Sequence, residues 1–132
     1  MSAQLLAERV SAMLSGYEEM FAKRGGVTPT DPLKFHLYHL ARYWSRLVGF
    51  CRRTPTKPEG WIDGDLGACV QVGSEFAHKL IGPDSPIYGR WQDYWVQAQA
   101  MLHQRPVTID AVEAAAQTFD ACVADLKYDP WG

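Results

Sequence analysis

Residues 30–53 read TDPLKFHLYHLARYWSRLVGFCRR, and this stretch decides the fold class. Leu33, Leu37, Leu40, Trp44, Leu47 and Cys51 recur at steps of 4, 3, 4, 3 and 4, the spacing of one buried helix face. Asp31 before Pro32 is a capping side chain followed by proline at the first helical turn, where its missing N–H is not needed. Pro55 and Pro58 stop the helix beyond Arg53, and Thr54 to Gly60 is predicted to be a loop. A second line, Phe35, His39, Arg42, Arg46, Gly49 and Arg53, follows the same 4-3 rhythm on a face turned away from the core.

The rest of the chain repeats this grammar. Upstream, Leu6, Val10, Met13, Tyr17 and Met20 mark a first helix, closed by Gly25-Gly26. Downstream, Trp61 to Ile81 fits a helix through Leu66, Cys69, Val70, Phe76, Ala77 and Leu80, although Gly64, Gly67 and Gly73 each weaken it by up to ~1 kcal/mol. Two readings stay open there: small residues that let a neighbouring helix approach, or an irregular start with a helix only from about Asp65. Ser85-Pro86 opens a fourth helix with Tyr88, Trp91, Trp95, Ala98 and Leu102 inward, and Pro106 ends it. Thr108 caps a fifth, whose stripe is Ile109, Val112, Ala116, Phe119, Val123 and Leu126. Short connections between amphipathic helices predict an all-α, up-and-down bundle of four to five helices in a single domain over residues 1–126, with a non-helical tail at 127–132. The predicted core is Leu37, Leu40, Trp44, Trp91, Trp95, Phe119 and Val123.

At 132 residues the chain is long enough for one core, and its 47% hydrophobic content is that of a globular protein. Cys51, Cys69 and Cys122 are far apart with no CxxC pair, which favours reduced, buried thiols and a cytoplasmic protein. Glu8 and Arg9 interrupt the short apolar stretch near the N-terminus, which argues against a signal peptide. No stretch approaches the ~18 uninterrupted apolar residues of a membrane span.

Motifs for chemistry are scarce. Glu75-x-x-His78 has the i, i+3 spacing of carboxylate-bridged di-iron bundles, but His36, His39 and His103 have no glutamate three residues before them, so the ligand set is incomplete. Val72-Gly73-Ser74-Glu75 is no nucleophile elbow, and neither GxGxxG nor GxxxxGK[ST] occurs. The expectation is a protein that is not an enzyme, with no catalytic residues, metal ligands or cofactor.

Charge is the feature that points outward. The chain has thirteen basic and fifteen acidic residues, yet residues 32–57 contain six of the bases and no acid. The remainder, seven bases against fifteen acids, balances at −8. Such polarisation suits an anionic partner, because local potential follows local charge even when the net charge is near zero. Lys34, Arg42, Arg46, Arg52, Arg53 and Lys57 are therefore the candidate nucleic-acid-binding residues, touching the backbone without reading sequence. The competing reading neutralises these arginines inside the bundle, with acidic helix 108–126 (Asp110, Glu113, Asp120, Asp125) as the neighbour.

In size and helical character the chain is similar to the small helical subunits of CRISPR effector complexes, which line a nucleic-acid channel. That is a likeness of architecture and not of motif. The alternative is a protein-binding inhibitor, immunity protein or adaptor, using the acidic helix 108–126 or Trp131 in the tail.

Overall fold

In a computed structural model the chain forms α1 (Ala3–Arg24), α2 (Pro32–Arg53), α3 (Glu59–Glu75), α4 (Tyr88–Leu102) and α5 (Ile109–Ala124), with α3 running on into a π-helical segment, Phe76–Ile81. The structure describes residues 2–54, 59–104, 107–127 and 129–131, and no strand occurs among them. The fold is the all-α, up-and-down bundle that the apolar spacing predicts.

The helix ends follow from local chemistry. Asp31 Oδ1 accepts from the backbone N–H groups of Leu33 and Lys34 at 3.0 and 3.1 Å, satisfying two of the donors that every helix start leaves open. Thr108 Oγ1 does the same for Ala111 at 3.2 Å. Gly25 ends α1 at φ 60°, a left-handed conformation that only glycine adopts without strain. Two boundaries differ from expectation. Glu59 and Gly60, predicted to lie in a loop, already belong to α3, and residues 55–58 of that predicted loop lie outside the described residues. Ser85-Pro86 forms a turn rather than a helix start: Tyr88 N–H reaches back to the Ser85 carbonyl at 3.1 Å, and α4 begins at Tyr88.

Helices α2, α3, α4 and α5 form a ring in which each packs on the next and α5 closes on α2, while α1 lies along the edge between α5 and α2. Helix α5 packs on three others, α1, α2 and α4. Glu113, Ala115 and Cys122 are buried beside Val112, Ala116, Phe119 and Val123, so its buried face is broader than a single stripe.

Leu37, Leu40, Trp44, Trp91, Phe119 and Val123 are core residues, as predicted. Trp95 is not: it is half-buried and lies against His78 at a ring separation of 5.6 Å. Tyr94 takes its place at the centre, and α4 buries Trp91, Tyr94, Ala98 and Met101, leaving Tyr88 and Leu102 half-buried. Both sets obey helical spacing. The choice between them is made by Gly73 of α3, where a Cβ would stand 2.7 Å from the Tyr94 ring. The small-residue reading of Trp61 to Ile81 therefore holds at Gly73, whereas a Cβ at Gly64 or Gly67 would meet nothing within 4 Å.

Gly73→Ala is expected to destabilise the fold by about 1–3 kcal/mol, as overpacking does, despite alanine's better helix propensity. Urea denaturation checks this. An increase in stability would mean that Tyr94 has room to move.

Candidate functional site

The basic face belongs to α2 and begins with its buried stripe. Leu37, Leu40, Trp44, Leu47 and Cys51 hold one side of the helix in the core, which forces residues half a turn away into solvent. Arg42, Arg46 and Arg53 are the exposed arginines of that outer line. Arg42 lies on aromatic rings: its guanidinium is 5.4 Å from the Phe21 centroid and 5.8 Å from that of Tyr38, and Nη1 donates to the Tyr38 hydroxyl at 3.3 Å. Such stacking orients a guanidinium without neutralising it. Arg46 is 54% exposed and stands 3.5 Å from Asp65 of α3, a loose contact at the rim.

Arg53 is drawn into the row by a missing side chain. Its guanidinium folds back over Gly49, where a Cβ would lie 3.0 Å from Nη1. The fold-back lays the charge over the turn between Arg53 and Arg46, and the two arginines line the same hollows. Arg42, Arg46 and Arg53 together line a groove of about 280 Å³ against Glu18 and Phe21 of α1. On the α3 side, Arg46 and Arg53 share a smaller hollow with Leu47, Phe50 and Asp65. Among the described residues, neither Arg42 nor Arg53 is in an ion pair.

The other three candidates do not join this row. Arg52 points sideways, into the junction of α1, α2 and α5. Its Nε donates to Glu113 Oε1 at 2.7 Å, Nη1 to Ser11 Oγ at 2.9 Å and Nη2 to the Ala7 carbonyl at 3.1 Å. Glu113 is only 3% exposed, so this pair joins helices and Arg52 is not a free surface charge. Lys34 lies on the same side of α2 as Arg52, some 100° of helical rotation from the arginine row. Lys57 falls outside the described residues. Internal neutralisation by the acidic helix thus operates for Arg52 and not for the row.

The surfaces considered for a protein partner are largely engaged within the chain. Besides Glu113, Asp120 accepts from the Tyr17 hydroxyl at 2.9 Å and Asp125 pairs with Arg90 at 2.6 Å. Trp131 turns back on α1, its ring 5.6 Å from Tyr17 and its carbonyl 3.3 Å from Arg24 Nη1.

Along the N-terminal half of α2, where the second line begins at Phe35 and His39, runs a different feature. His39 stands between Phe35 and Tyr43, with ring separations of 4.5 and 6.3 Å. These three side chains, His36, and Val72 and Glu75 of α3 line a groove of about 230 Å³. His36 Nε2 is 3.6 Å from Glu75 Oε2. Partial burial, reinforced by the charges of Arg42 and His36, lowers the His39 pKa and keeps its ring neutral near pH 7. The signal that finds this line is the i, i+4, i+8 spacing of Phe35, His39 and Tyr43.

Glu75 and His78 do not converge. Glu75 turns to His36, while His78 Nδ1 stands 2.8 Å from the Ser74 carbonyl and its ring meets Tyr88 and Trp95. Among the described residues, no three His, Cys, Asp or Glu side chains cluster as metal ligands. The cysteines are free and buried, and burial raises the pKa of Cys69 and pushes that of Cys122 up to about 12, away from the thiolate a nucleophile requires. No described helix is long and apolar enough to cross a membrane. No family model, curated protein or solved structure matches the chain.

Proposed function

We propose that the protein is a non-enzymatic helical subunit of a larger assembly that contacts a nucleic-acid backbone, without sequence readout, through Arg42, Arg46 and Arg53. The observation that carries this reading is the arginine row itself: three solvent-facing guanidiniums on one rigid helix, one held on aromatic rings and one folded over a glycine toward the others. Guanidinium groups suit phosphate oxygens because their donors form a planar fork that needs little reordering. Helix α2 is long and buries a full stripe, which suits contact along a backbone better than insertion of a short recognition helix into a groove. Three buried free thiols suit a reducing compartment, so a cytoplasmic location forms part of the proposal.

Binding by the isolated chain is expected to be weak, since the −8 balance outside residues 32–57 repels phosphate. Log K against log salt should fall with a slope of roughly −2 to −3 for three phosphate contacts. The test is fluorescence anisotropy with a labelled oligonucleotide at several salt concentrations. Arg42→Glu combined with Arg46→Glu should lower affinity about ten- to a hundredfold and cost only about 1–2 kcal/mol of stability, lost with the Arg42 stacking on Phe21 and Tyr38 and the Arg46–Asp65 contact, so the bundle stays folded because both positions lie off the buried stripe. Asp65→Asn should act in the opposite sense by releasing Arg46. Salt-independent binding, or unchanged affinity in the double variant, would overturn the reading.

A further inference from the structure

The arginine row continues into the aromatic line of the same helix, and the two together suit one kind of nucleic acid. Phe35 is 42% exposed and, among the described residues, is the one exposed aromatic side chain. It has the same helical orientation as Arg42, Arg46 and Arg53, so the charged row runs directly into the groove lined by Phe35, His36, His39, Tyr43, Val72 and Glu75. From Phe35 to Arg53 is about 27 Å along the axis, and Arg42 and Arg46 are about 6 Å apart, close to the step of one nucleotide in an extended strand.

We infer that this surface takes a single strand, its phosphates on Arg42, Arg46 and Arg53 and one or two of its bases stacked on Phe35, His39 and Tyr43. The inference rests on the backbone-contact reading above and adds the class of nucleic acid. Three properties of the groove support an unpaired base as its occupant. Its three rings stand along a line continuous with the cations, with Phe35 exposed at its end, the combination by which single strands are held without regard to sequence. The Glu75 carboxylate stands at the groove, where it repels phosphate yet accepts hydrogen bonds from exocyclic amino groups. His39 is neutral near pH 7, which leaves its ring a stacking surface rather than a further cation. A duplex buries its base faces in its own stack and has only phosphates to offer this helix.

The experiment compares three fluorescein-labelled probes of equal length by anisotropy: a mixed-sequence single strand, its duplex, and a strand of abasic sugar-phosphates. Wild-type protein is expected to prefer the single strand to both others by about tenfold. Phe35→Ala with His39→Ala should remove that preference and leave abasic binding unchanged, and circular dichroism of the variant checks that the helices are retained. Equal affinity for all three probes, or a preference that survives the double substitution, overturns the single-strand inference while the backbone reading stands. Absence of salt-dependent binding to any probe overturns both.

Discussion

Trp44→Ala is expected to destabilise the protein by about 3–5 kcal/mol, a large part of the stability of a domain this size. Trp44 is fully buried, and its indole N–H donates to the Tyr94 hydroxyl at 2.8 Å. That hydroxyl in turn reaches the Cys69 carbonyl at 3.4 Å, so the contact ties α2, α4 and α3 together at the centre of the ring. Alanine removes both the ring volume and the donor. The two contributions separate by a cycle: Tyr94→Phe alone leaves the Trp44 N–H buried without an acceptor, at about 1–3 kcal/mol. Trp44→Phe with Tyr94→Phe removes donor and acceptor together and should lose less than the sum of the single changes. Guanidinium denaturation followed by far-ultraviolet circular dichroism reads each step, since removing Trp44 also removes its fluorescence. A loss below about 1 kcal/mol for Trp44→Ala would mean that the centre of the bundle is not packed as described.

Arg52→Ala is expected to destabilise the fold by about 2–4 kcal/mol, because it strands the Glu113 carboxylate in a buried position. The value sits toward the lower end for breaking a buried pair because the Arg52 side chain remains 31% exposed and water reaches its outer edge. Lysine should not restore the lost stability: one ammonium cannot serve Glu113, Ser11 and the Ala7 carbonyl at the same time. Arg52→Ala with Glu113→Ala should be better tolerated than Arg52→Ala alone, since no charge is then left buried and unpaired. Oligonucleotide affinity supplies the opposing measurement. Arg52→Ala protein, measured at a temperature where it stays folded, should bind almost as well as wild type, whereas Arg42→Ala should bind less well at a stability cost of no more than about 1 kcal/mol, that of its stacking on Phe21 and Tyr38. If Arg52→Ala weakens binding without touching stability, the division of labour along α2 is wrong.

The contrast between these arginines shows how far the sequence could be followed. Arg52 and Arg53 are neighbours of identical type in an acid-free segment, and both were candidates for an outward-facing site. A helix turns 100° per residue, so one goes toward the α1–α5 junction and the other lies over Gly49 on the open face. Counting helical steps from Arg42 assigns Arg53 to the row and leaves Arg52 off it. What the count does not supply is the acceptor that captures Arg52, because Glu113 is buried only through the packing of α5 against several helices at once.

The sequence by itself determined that this chain is a helical bundle, where most of its helices begin and end, and that α2 carries a cationic outer line. Those properties follow from apolar residues at 3.6-residue spacing and from capping side chains a few residues away, which are local facts of the chain. Only the tertiary structure decided between Tyr94 and Trp95 for the centre of the core, tied Arg52 to Glu113, folded Trp131 onto Tyr17, and closed an aromatic groove between α2 and α3. Each of those outcomes depends on where a residue far away in sequence places its bulk or its charge: Gly73 for the α4 register, Glu113 for Arg52, Tyr17 for Trp131, and Val72 and Glu75 for the groove. Helical spacing fixes which face a side chain occupies to within about a quarter turn, and the final choice inside that arc belongs to the neighbouring helix.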